Sequence, residues 1–172
     1  MYLITSVLHF PPVDQATEEG LLAIGGDLSH ERLLLAYNNG IFPWSDPHEP
    51  ILWWAPAERM VVDPHNYKVP KSLRNIINRN LFEVTINKDF GAVIVNCQKI
   101  ARKDQEGTWI STDVVNAYNK LHKLGKAMSF EVWQEGKLVG GLYGVDLGHV
   151  FCGESMFSKV PNASKVAFVK LI

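Results

Sequence analysis

The sequence predicts an α+β protein made of two units, and three observations lead to this prediction. Segments with the alternating pattern of strands recur between segments with the apolar spacing of helices along the whole chain. Three strand-like segments near the end are separated only by short turns, which indicates an antiparallel meander. Residues 1–62 carry 2 basic and 8 acidic side chains, a net charge of −6, whereas residues 63–172 carry 15 and 10, a net charge of +5. This asymmetry favours two domains, 1–62 and 63–172, with a chance split of solvated charge as the alternative.

The composition is typical of a folded protein from a reducing compartment. Apolar residues make up 47% of the 172 residues and charged residues 20%, which favours a packed core over disorder. No apolar run reaches the roughly 18 residues of a membrane-spanning helix, and the N-terminus lacks the pattern of a signal peptide. Cys97 and Cys152 belong to no CxxC motif, and no His/Cys cluster has zinc spacing. We therefore expect a cytoplasmic protein in which both cysteines are buried thiols, with no membrane segment and no bound metal.

The first unit is predicted to mix short strands with one helix. Residues 2–7 predict a strand, and the apolar run 21–27 ends in a glycine turn. Ser29 is placed to cap a helix that ends at the stop signal 39–40. Three of the five tryptophans lie between residues 44 and 54, in segments rich in proline. Such aromatic residues either pack in a core or form a stacking surface for a base or an apolar ligand.

The second unit is predicted to begin with a strand and a basic amphipathic helix. The strand is expected over 60–62 and the helix over 70–80, with Pro70 in its first turn. The two faces of the helix separate apolar from polar residues: Leu73, Ile76 and Ile77 on one, and Lys71, Arg74 and Asn78 on the other. The basic face is either simply solvated or in contact with phosphates.

The remaining elements follow from periodicity and from capping signals. In order, the chain continues with a strand over 82–86, a helix over 89–99, a charged loop over 101–107, a helix capped by Thr112 or Asp113, strands over 128–134, 138–145 and 150–152, and a helix from Ala163 that Asn162 caps. The predicted inward residues of the two central helices are Phe90, Val93, Ile94 and Cys97, and then Val114, Ala117, Tyr118, Leu121 and Leu124.

Glu154 is the most informative single residue of the sequence. It follows the predicted strand 150–152 and stands among apolar neighbours, between Gly153 and Met156. A buried carboxylate must be hydrogen-bonded, paired or protonated, because an unpaired buried charge is too costly. The alternative is an exposed glutamate at a strand end. On pattern alone, both interpretations stay open.

The order of elements after residue 63 is helix, strand, helix, helix, three antiparallel strands and helix. This order resembles the acyltransferase fold of the Gcn5-related acetyltransferases. In that fold, one further strand and helix would follow Ile172. We therefore expect a small N-terminal α/β domain joined to an acetyltransferase-like domain that is incomplete at its C-terminus.

A set of motifs in fixed order resembles one specific family, the leucyl/phenylalanyl-tRNA–protein transferases. The matching stretches cover most of the chain: 20–29, 36–37, 40–44, 51–54, 107–110, 129–133, 138–144, 151–158 and 162–165. The resemblance implies transfer of Leu or Phe (or Met) from aminoacyl-tRNA to the α-amine of proteins that begin with Arg or Lys. Such transfer marks these proteins for degradation by the bacterial N-degron route. It implies a cytoplasmic, monomeric aminoacyltransferase that needs no cofactor.

The resemblance also implies site residues. Glu154 is the expected catalytic residue, which orients the ammonium of the donor and shares proton transfer with a glutamine of the family. The expected substrate-binding residues are Tyr37, Trp44, Trp109, Leu142, Phe151, Gly153, Met156 and Phe157, with core packing as the alternative for each. The terminal adenosine of the tRNA would stack on Trp44 or Tyr37. Lys71, Arg74 and Arg79 would contact phosphates of the tRNA without reading sequence.

Two departures from the related patterns keep other functions open. Acetyltransferases hold the pyrophosphate of CoA on a glycine-rich turn that opens a helix, whereas the turn 158–163 has no glycine. An Asp-x-Gln motif, which carries the family's glutamine, would lie after Ile172, so we expect weak or lost activity for this chain. The alternatives to the aminoacyltransferase are a CoA-dependent N-acetyltransferase and an inactive RNA-binding fragment.

Overall fold

A computed structural model describes residues 2–100 and 107–172. Within these residues, five α-helices and two four-stranded sheets confirm the α+β class. The described residues form two compact units, one of residues 2–60 and 107–121 and the other of residues 61–100 and 122–172. Compared with the predicted domains 1–62 and 63–172, the first unit also holds residues 107–121.

The elements are numbered in chain order. The helices are α1 (His30–Asn38), α2 (Lys71–Asn78), α3 (Phe90–Lys99), α4 (Thr112–Lys123) and α5 (Ala163–Leu171). The strands are β1 (Tyr2–Ile4), β2 (Leu21–Gly25), β3 (Phe42–Pro43), β4 (Leu52–Trp54), β5 (Glu83–Ile86), β6 (Ala127–Gln134), β7 (Lys137–Asp146) and β8 (Phe151–Ser158). Short 3₁₀ turns cover Val13–Gln15 and Pro64–Asn66. None of the described helices has the length and apolar character needed to cross a bilayer.

The sheet of the first unit has the order β1-β2-β4-β3. Strands β1 and β2 run parallel, and β4 is antiparallel to both of its neighbours. The centre of this unit is Trp53, which is fully buried and donates its indole N–H to the carbonyl oxygen of Gly25 at 2.8 Å. A buried tryptophan needs such an acceptor, and here β2 supplies it. The predicted helix is confirmed as α1, and the hydroxyl of Ser29 accepts from the backbone N–H of Arg32 at 3.4 Å.

The sheet of the second unit is the predicted meander with β5 added at its edge. All neighbouring strands in the order β5-β6-β7-β8 are antiparallel. On one face, α5 and Leu73 of α2 pack in a cluster of buried side chains. Its members are Leu73, Phe130, Val132, Val139, Leu142, Ala163, Val166 and Ala167. On the other face, α3 packs its four predicted inward residues, all of which are buried.

Some local predictions are wrong for identifiable reasons. Residues 60–62 form no strand, and the side chains of Met60 and Val61 are 99% and 82% exposed. Apolar composition alone does not make a strand where no neighbouring backbone is available to complete the ladder. The cap of α4 is Ser111, whose hydroxyl accepts from the N–H of Val114 at 3.2 Å, one residue before the predicted caps. Leu124, predicted inward, is 48% exposed. Residues 101–106 of the predicted charged loop lie outside the described residues.

Candidate functional site

Glu154 lies within an irregularity of the second sheet. Tyr143 pairs with Ser155 and the next residue of β7, Gly144, pairs with Gly153. Strand β8 therefore has one more residue than β7 at this point, and Glu154 is the additional residue. Such β-bulges bend a strand and turn a side chain away from the regular alternation, and they are frequent beside active sites. The prediction that the strand ends before Glu154 is wrong, because β8 continues to Ser158.

The immediate neighbours of Glu154 leave its side of the strand open. Apart from the two chain neighbours, no atom would lie within 4 Å of a Cβ atom built on Gly153. Met156 is 46% exposed, which is high for an apolar side chain in the middle of a strand. Glu154 itself is half-buried. A carboxylate that is partly shielded from water between two accessible positions is well placed to bind a cationic group of a ligand.

The other predicted residues of the second unit lie deeper. Leu142 and Phe157 are 3% and 2% exposed, so they shape the surroundings of β8 from within the core. Phe151 is half-buried and meets the ring of Phe130 edge to face, with 6.1 Å between the ring centroids. Thus Leu142, Phe151 and Phe157 are brought to the same pair of strands as Glu154.

Met156 also lines a cavity of about 380 Å³. The walls are mostly apolar, and they include Tyr67, Leu73 and Phe168. The rings of Tyr67 and Phe168 meet edge to face with their centroids 5.6 Å apart. Neither residue was predicted from the sequence, since neither belongs to a motif and their proximity depends on how α5 packs. A cavity of this size and lining suits an apolar side chain of a ligand.

In the first unit, Trp44 is held firmly although its side chain is 50% exposed. Its backbone N–H donates to the carbonyl oxygen of Leu52 at 2.9 Å, and its own carbonyl accepts from the indole N–H of Trp54 at 2.6 Å. The two indoles meet edge to face with 5.8 Å between centroids. An exposed aromatic ring on a fixed backbone offers contact area at a low cost in conformational entropy.

Trp44 and Trp109 line two adjoining cavities of about 480 and 300 Å³. The larger cavity also has Leu52, Trp54 and His48 in its wall. The smaller has Asp27 and Asp113, and Asp46 and Glu49 line both. The structure therefore brings Trp44 and Trp109 together in the walls of the same depression, and acidic residues form one side of it. The sequence indicated the acid surplus of this region but not its position around a cavity.

The carboxylate of Asp27 is fixed by a buried cation. Arg32 is 1% exposed, and its Nη2 atom lies 3.2 Å from Oδ2 of Asp27. The guanidinium also donates to the carbonyl oxygens of Thr5 at 3.0 Å and Val7 at 3.2 Å. The hydroxyl of Ser29 is the main cause of a lowered pKa for the Asp27 carboxyl; burial opposes it, and the Ser29 amide and Arg32 reinforce it. Asp27 is therefore held in its charged form.

The remaining predicted residues differ in their accessibility. Tyr37 is 5% exposed, and its hydroxyl is hydrogen-bonded to that of Tyr118 on α4. Lys71, Arg74 and Arg79 are all exposed along α2 and just after it. Arg74 makes only a long hydrogen bond, from Nη2 to the carbonyl oxygen of Val69 at 3.5 Å. These three cations are therefore available to a polyanion.

Within residues 2–100 and 107–172, no group of three or more His, Cys, Asp or Glu side chains is arranged to hold a metal ion.

Comparison with known proteins gives a consistent result over both units. A family model described as "Leucyl/phenylalanyl-tRNA protein transferase" matches residues 61–172, and the model of the N-terminal domain of that transferase matches residues 26–57. A leucyl/phenylalanyl-tRNA–protein transferase of Flavobacterium johnsoniae is 61% identical over 171 residues, which cover 99% of this chain and 81% of the relative. Its counterpart in Flavobacterium psychrophilum is 58% identical with the same coverage. That of Syntrophobacter fumaroxidans is 52% identical over 172 residues, covering 100% of this chain and 74% of the relative.

Proposed function

The chain belongs to the leucyl/phenylalanyl-tRNA–protein transferase family, and on this premise we propose that it transfers Leu or Phe, and also Met, from aminoacyl-tRNA to proteins. The acceptor is the α-amine of a protein that begins with Arg or Lys, and the product is a peptide bond. The family resemblance predicted from the sequence is confirmed. The observation that carries the proposal is the match over residues 61–172, which includes Glu154 and its bulge. The modified proteins would enter the N-degron route in the cytoplasm, and the enzyme would act as a monomer.

We propose an acetyltransferase-like architecture for the second unit. The element order α2, β5, α3, β6-β7-β8 and α5 of this unit, with an antiparallel sheet, supports it. The turn before α5 argues against CoA as the donor. The N–H of Ser164 in the first turn of α5 already donates to the hydroxyl of Ser158 at 3.3 Å, in a turn without glycine. A donor carried by tRNA does not need a pyrophosphate site at this helix.

The chemistry demands little activation. The aminoacyl ester is a reactive acyl donor, and an α-amine has an ordinary pKa of about 7.7–8.0, so a useful fraction is neutral near pH 7. The amine attacks the ester carbonyl, the 3′-hydroxyl of the tRNA leaves, and the amine loses a proton. Holding the two reactants in the correct orientation supplies several kcal/mol of the barrier reduction.

Glu154 is proposed to orient the donor and to assist proton transfer. Its carboxylate would bind the ammonium of the donor amino acid, since an opposite charge in a half-buried place is attracted more strongly than in bulk water. The bulge presents Glu154 beside Gly153, whose missing side chain leaves room for the donor backbone. The same carboxylate is a suitable acceptor for the proton that the attacking amine releases.

The cavity beside Met156 is proposed to receive the donor side chain. Its apolar walls, among them Leu73 and Phe168, favour Leu, Phe and Met over polar side chains. Discrimination between side chains that differ by one methyl group is worth only about 1–3 kcal/mol in such a pocket. Leu142, which packs in the same buried cluster as Leu73, would support its inner wall. Phe157 lies on the opposite face of the sheet, close to Val93 of α3, and would act only by packing there.

The tRNA is proposed to bind both units through different groups. Lys71, Arg74 and Arg79 would contact phosphates, which gives affinity without sequence readout. In the first unit, the larger aromatic cavity would take the terminal adenosine against Trp44, because a half-exposed indole is a good stacking partner. Tyr37 is the weaker candidate for this role, since it is 5% exposed.

A label-transfer assay tests the proposal. The 172-residue protein is incubated with an Arg-starting protein and either labelled Leu-tRNA or labelled acetyl-CoA. We expect label from Leu-tRNA on the α-amine, at a low rate, and none from acetyl-CoA. Label from acetyl-CoA alone would replace the proposal by an N-acetyltransferase. Retained tRNA binding without transfer would replace it by an RNA-binding function.

Glu154→Gln tests the role of the carboxylate. The substitution keeps the size of the side chain and removes its charge, and we expect transfer to slow by about tenfold or more. Glu83→Gln, at an exposed position of β5, is the matched control and should leave the rate unchanged. Equal rates for the Glu154 variant and the parent would remove Glu154 from the site.

A further inference from the structure

The cavity beside Met156 has a charged residue in its lining to which the proposed function gives no role. Among the described lining residues, Lys165 alone is charged, and the others are apolar or neutral. Lys165 also ends the stretch 162–165, one of the motifs on which the family resemblance rests. An apolar cavity with a cation and no acid in its described lining suits a ligand that carries both an apolar group and an anion.

The position of Lys165 on α5 places it in one wall of the cavity. Asn162, Lys165 and Phe168 all line the cavity, and they follow one another at intervals of three residues. Residues at this interval are neighbours on the surface of a helix, so one face of α5 forms this wall. The ring of Tyr67 packs edge to face on that of Phe168 and completes the apolar part of the wall. Lys165 thus lies about one helical turn from the aromatic pair, at the edge of an apolar surface.

Lys165 is available to a ligand. Its side chain is exposed, and none of the ion pairs among the described residues involves it. A lysine ammonium is a compact charge on a flexible four-carbon stem, so it can adjust its position to that of an anion. The stem can lie against the apolar wall while the charge stays in water. The cation is therefore not used to hold the fold together.

A second wall of the cavity has positive charge beside it. Pro70, Ser72 and Leu73 line the cavity from the start of α2, and the exposed Lys71 and Arg74 are their neighbours in sequence. Helices α2 and α5 are in contact with each other. Both helices that supply the walls therefore carry exposed cations, which raises the local potential that attracts an anion.

The donor of the proposed reaction carries the matching pair of groups. Its terminal nucleotide bears the amino acid on the ribose 3′-oxygen and a phosphate on the 5′-oxygen, so an apolar side chain and an anion are joined through one ribose. An ammonium forms charge-assisted hydrogen bonds with phosphate, and these are stronger than neutral hydrogen bonds. The cavity and its cation can therefore act on the same nucleotide.

From these observations we propose that Lys165 binds the 5′-phosphate of the terminal adenosine of the aminoacyl-tRNA while the donor side chain enters the cavity beside Met156. This inference rests on the proposed function for the identity of the donor. Lys165 is a binding residue that fixes the place of the donor, and it takes no part in proton transfer. A donor end that has its phosphate gains from both contacts, whereas a nucleoside without the phosphate gains only from the cavity.

Two stable analogues of the tRNA end test the contact without any transfer reaction. In both, leucine is joined by an amide bond to 3′-amino-3′-deoxyadenosine, and one of them also carries a 5′-phosphate. Isothermal titration calorimetry on the whole chain should show about fivefold tighter binding of the phosphorylated analogue, the scale of a favourable exposed ion pair. Equal affinity of the parent for the two analogues, or no binding of the phosphorylated one, would overturn the proposal.

Variants at two lysines of α5 assign the contact. Lys165→Ala should bind both analogues as the parent binds the unphosphorylated one, whereas Lys165→Arg should keep most of the gain because it keeps the charge. Lys170→Ala is the matched control: it removes an exposed lysine of the same helix that is not among the described lining residues, and the gain should remain. A gain that survives in Lys165→Ala would show that the phosphate binds elsewhere. Weaker binding of the unphosphorylated analogue by Lys165→Ala would show that the lysine shapes the cavity, which also contradicts the proposal.

Transfer kinetics separate this inference from the proposed function. With an Arg-starting peptide as acceptor, Lys165→Ala should raise KM for Leu-tRNA about fivefold and change kcat little, because a phosphate contact remote from the reacting atoms is the same in the ground state and the transition state. An unchanged KM for Leu-tRNA would overturn the role of Lys165 while transfer itself stands. Conversely, absence of transfer in the parent, together with a phosphate-dependent gain that Lys165→Ala abolishes, would refute the transferase and support the Lys165 site.

Discussion

The ring of Phe151 fills the space that a side chain on Gly144 would need. A Cβ atom built on Gly144 would lie 2.6 Å from both the Cε1 and Cζ atoms of Phe151 and would also collide with the carbonyl oxygen of Cys152. Gly153 pairs with Gly144 across the two strands, and a Cβ atom built on it would have no atom within 4 Å outside its two chain neighbours. The two paired glycines therefore have opposite surroundings, one closed by the core and the other open beside Glu154.

Gly144→Ala is expected to destabilise the second unit, because backbone and an aromatic ring must both move to admit one methyl group. The expected loss is about 1–3 kcal/mol, the usual cost of overpacking. Gly153→Ala should be neutral or slightly stabilising, since it restricts the unfolded chain without a clash. Thermal unfolding followed by circular dichroism compares the two variants, and equal melting temperatures would contradict the packing described for Gly144.

The contribution of Asp27 to stability is expected to depend on pH. The folded-state pKa of its carboxyl is lowered from the ordinary value of 3.8, chiefly by the hydroxyl of Ser29. A group with a depressed folded pKa stabilises the protein above its unfolded pKa and loses this effect as the pH falls through the folded pKa. Asp27→Asn should therefore lower the free energy of unfolding at neutral pH, and its difference from the parent should shrink in acid.

Urea unfolding at neutral pH and at several acidic values measures this difference. Asp14→Asn, at an exposed position of the same unit, controls for the general loss of one charge. If the difference in free energy of unfolding between the parent and the Asp27 variant stayed constant down to a pH of about 2, Asp27 would stabilise the protein through its shape and not through its charge.

The basic residues on and after α2 are expected to determine the salt dependence of tRNA binding. Replacing Lys71, Arg74 and Arg79 together by Ala should weaken binding of all tRNAs similarly. It should also reduce the slope of log affinity against log salt by about 2–3, if each cation neutralises one phosphate. Filter binding over a salt series gives the slope. The control is the double variant Lys126→Ala with Lys137→Ala, which removes two exposed cations elsewhere in the second unit. If the triple variant had the same slope as the parent, this helix would be excluded from the tRNA interface.

The elements with a strong periodic pattern were predictable from the sequence. The helix over 89–99 has its apolar residues at regular intervals and a capping aspartate, and the structure contains it almost to the residue. The bulge at Glu154 was not predictable, because it depends on how two strands align and not on either strand alone. The cavity walls likewise come from segments far apart in the chain, such as Asp27 and Asp113. Candidate site residues could be chosen from the sequence by their chemistry, but the residues that surround them could be identified only from the fold.

The hydrogen bond between Tyr37 and Tyr118 joins residues that are 81 positions apart. During synthesis the ribosome delivers α1 early, yet α4 emerges only after α2, β5 and α3 have been made. The first unit therefore cannot complete its packing until residues 61–100 of the second unit and then α4 have been synthesised. A product released after residue 60 would lack α4 and with it the hydrogen-bond partner of the Tyr37 hydroxyl. The order of the segments along the chain thus delays completion of the first unit until α4 has been made, after part of the second unit.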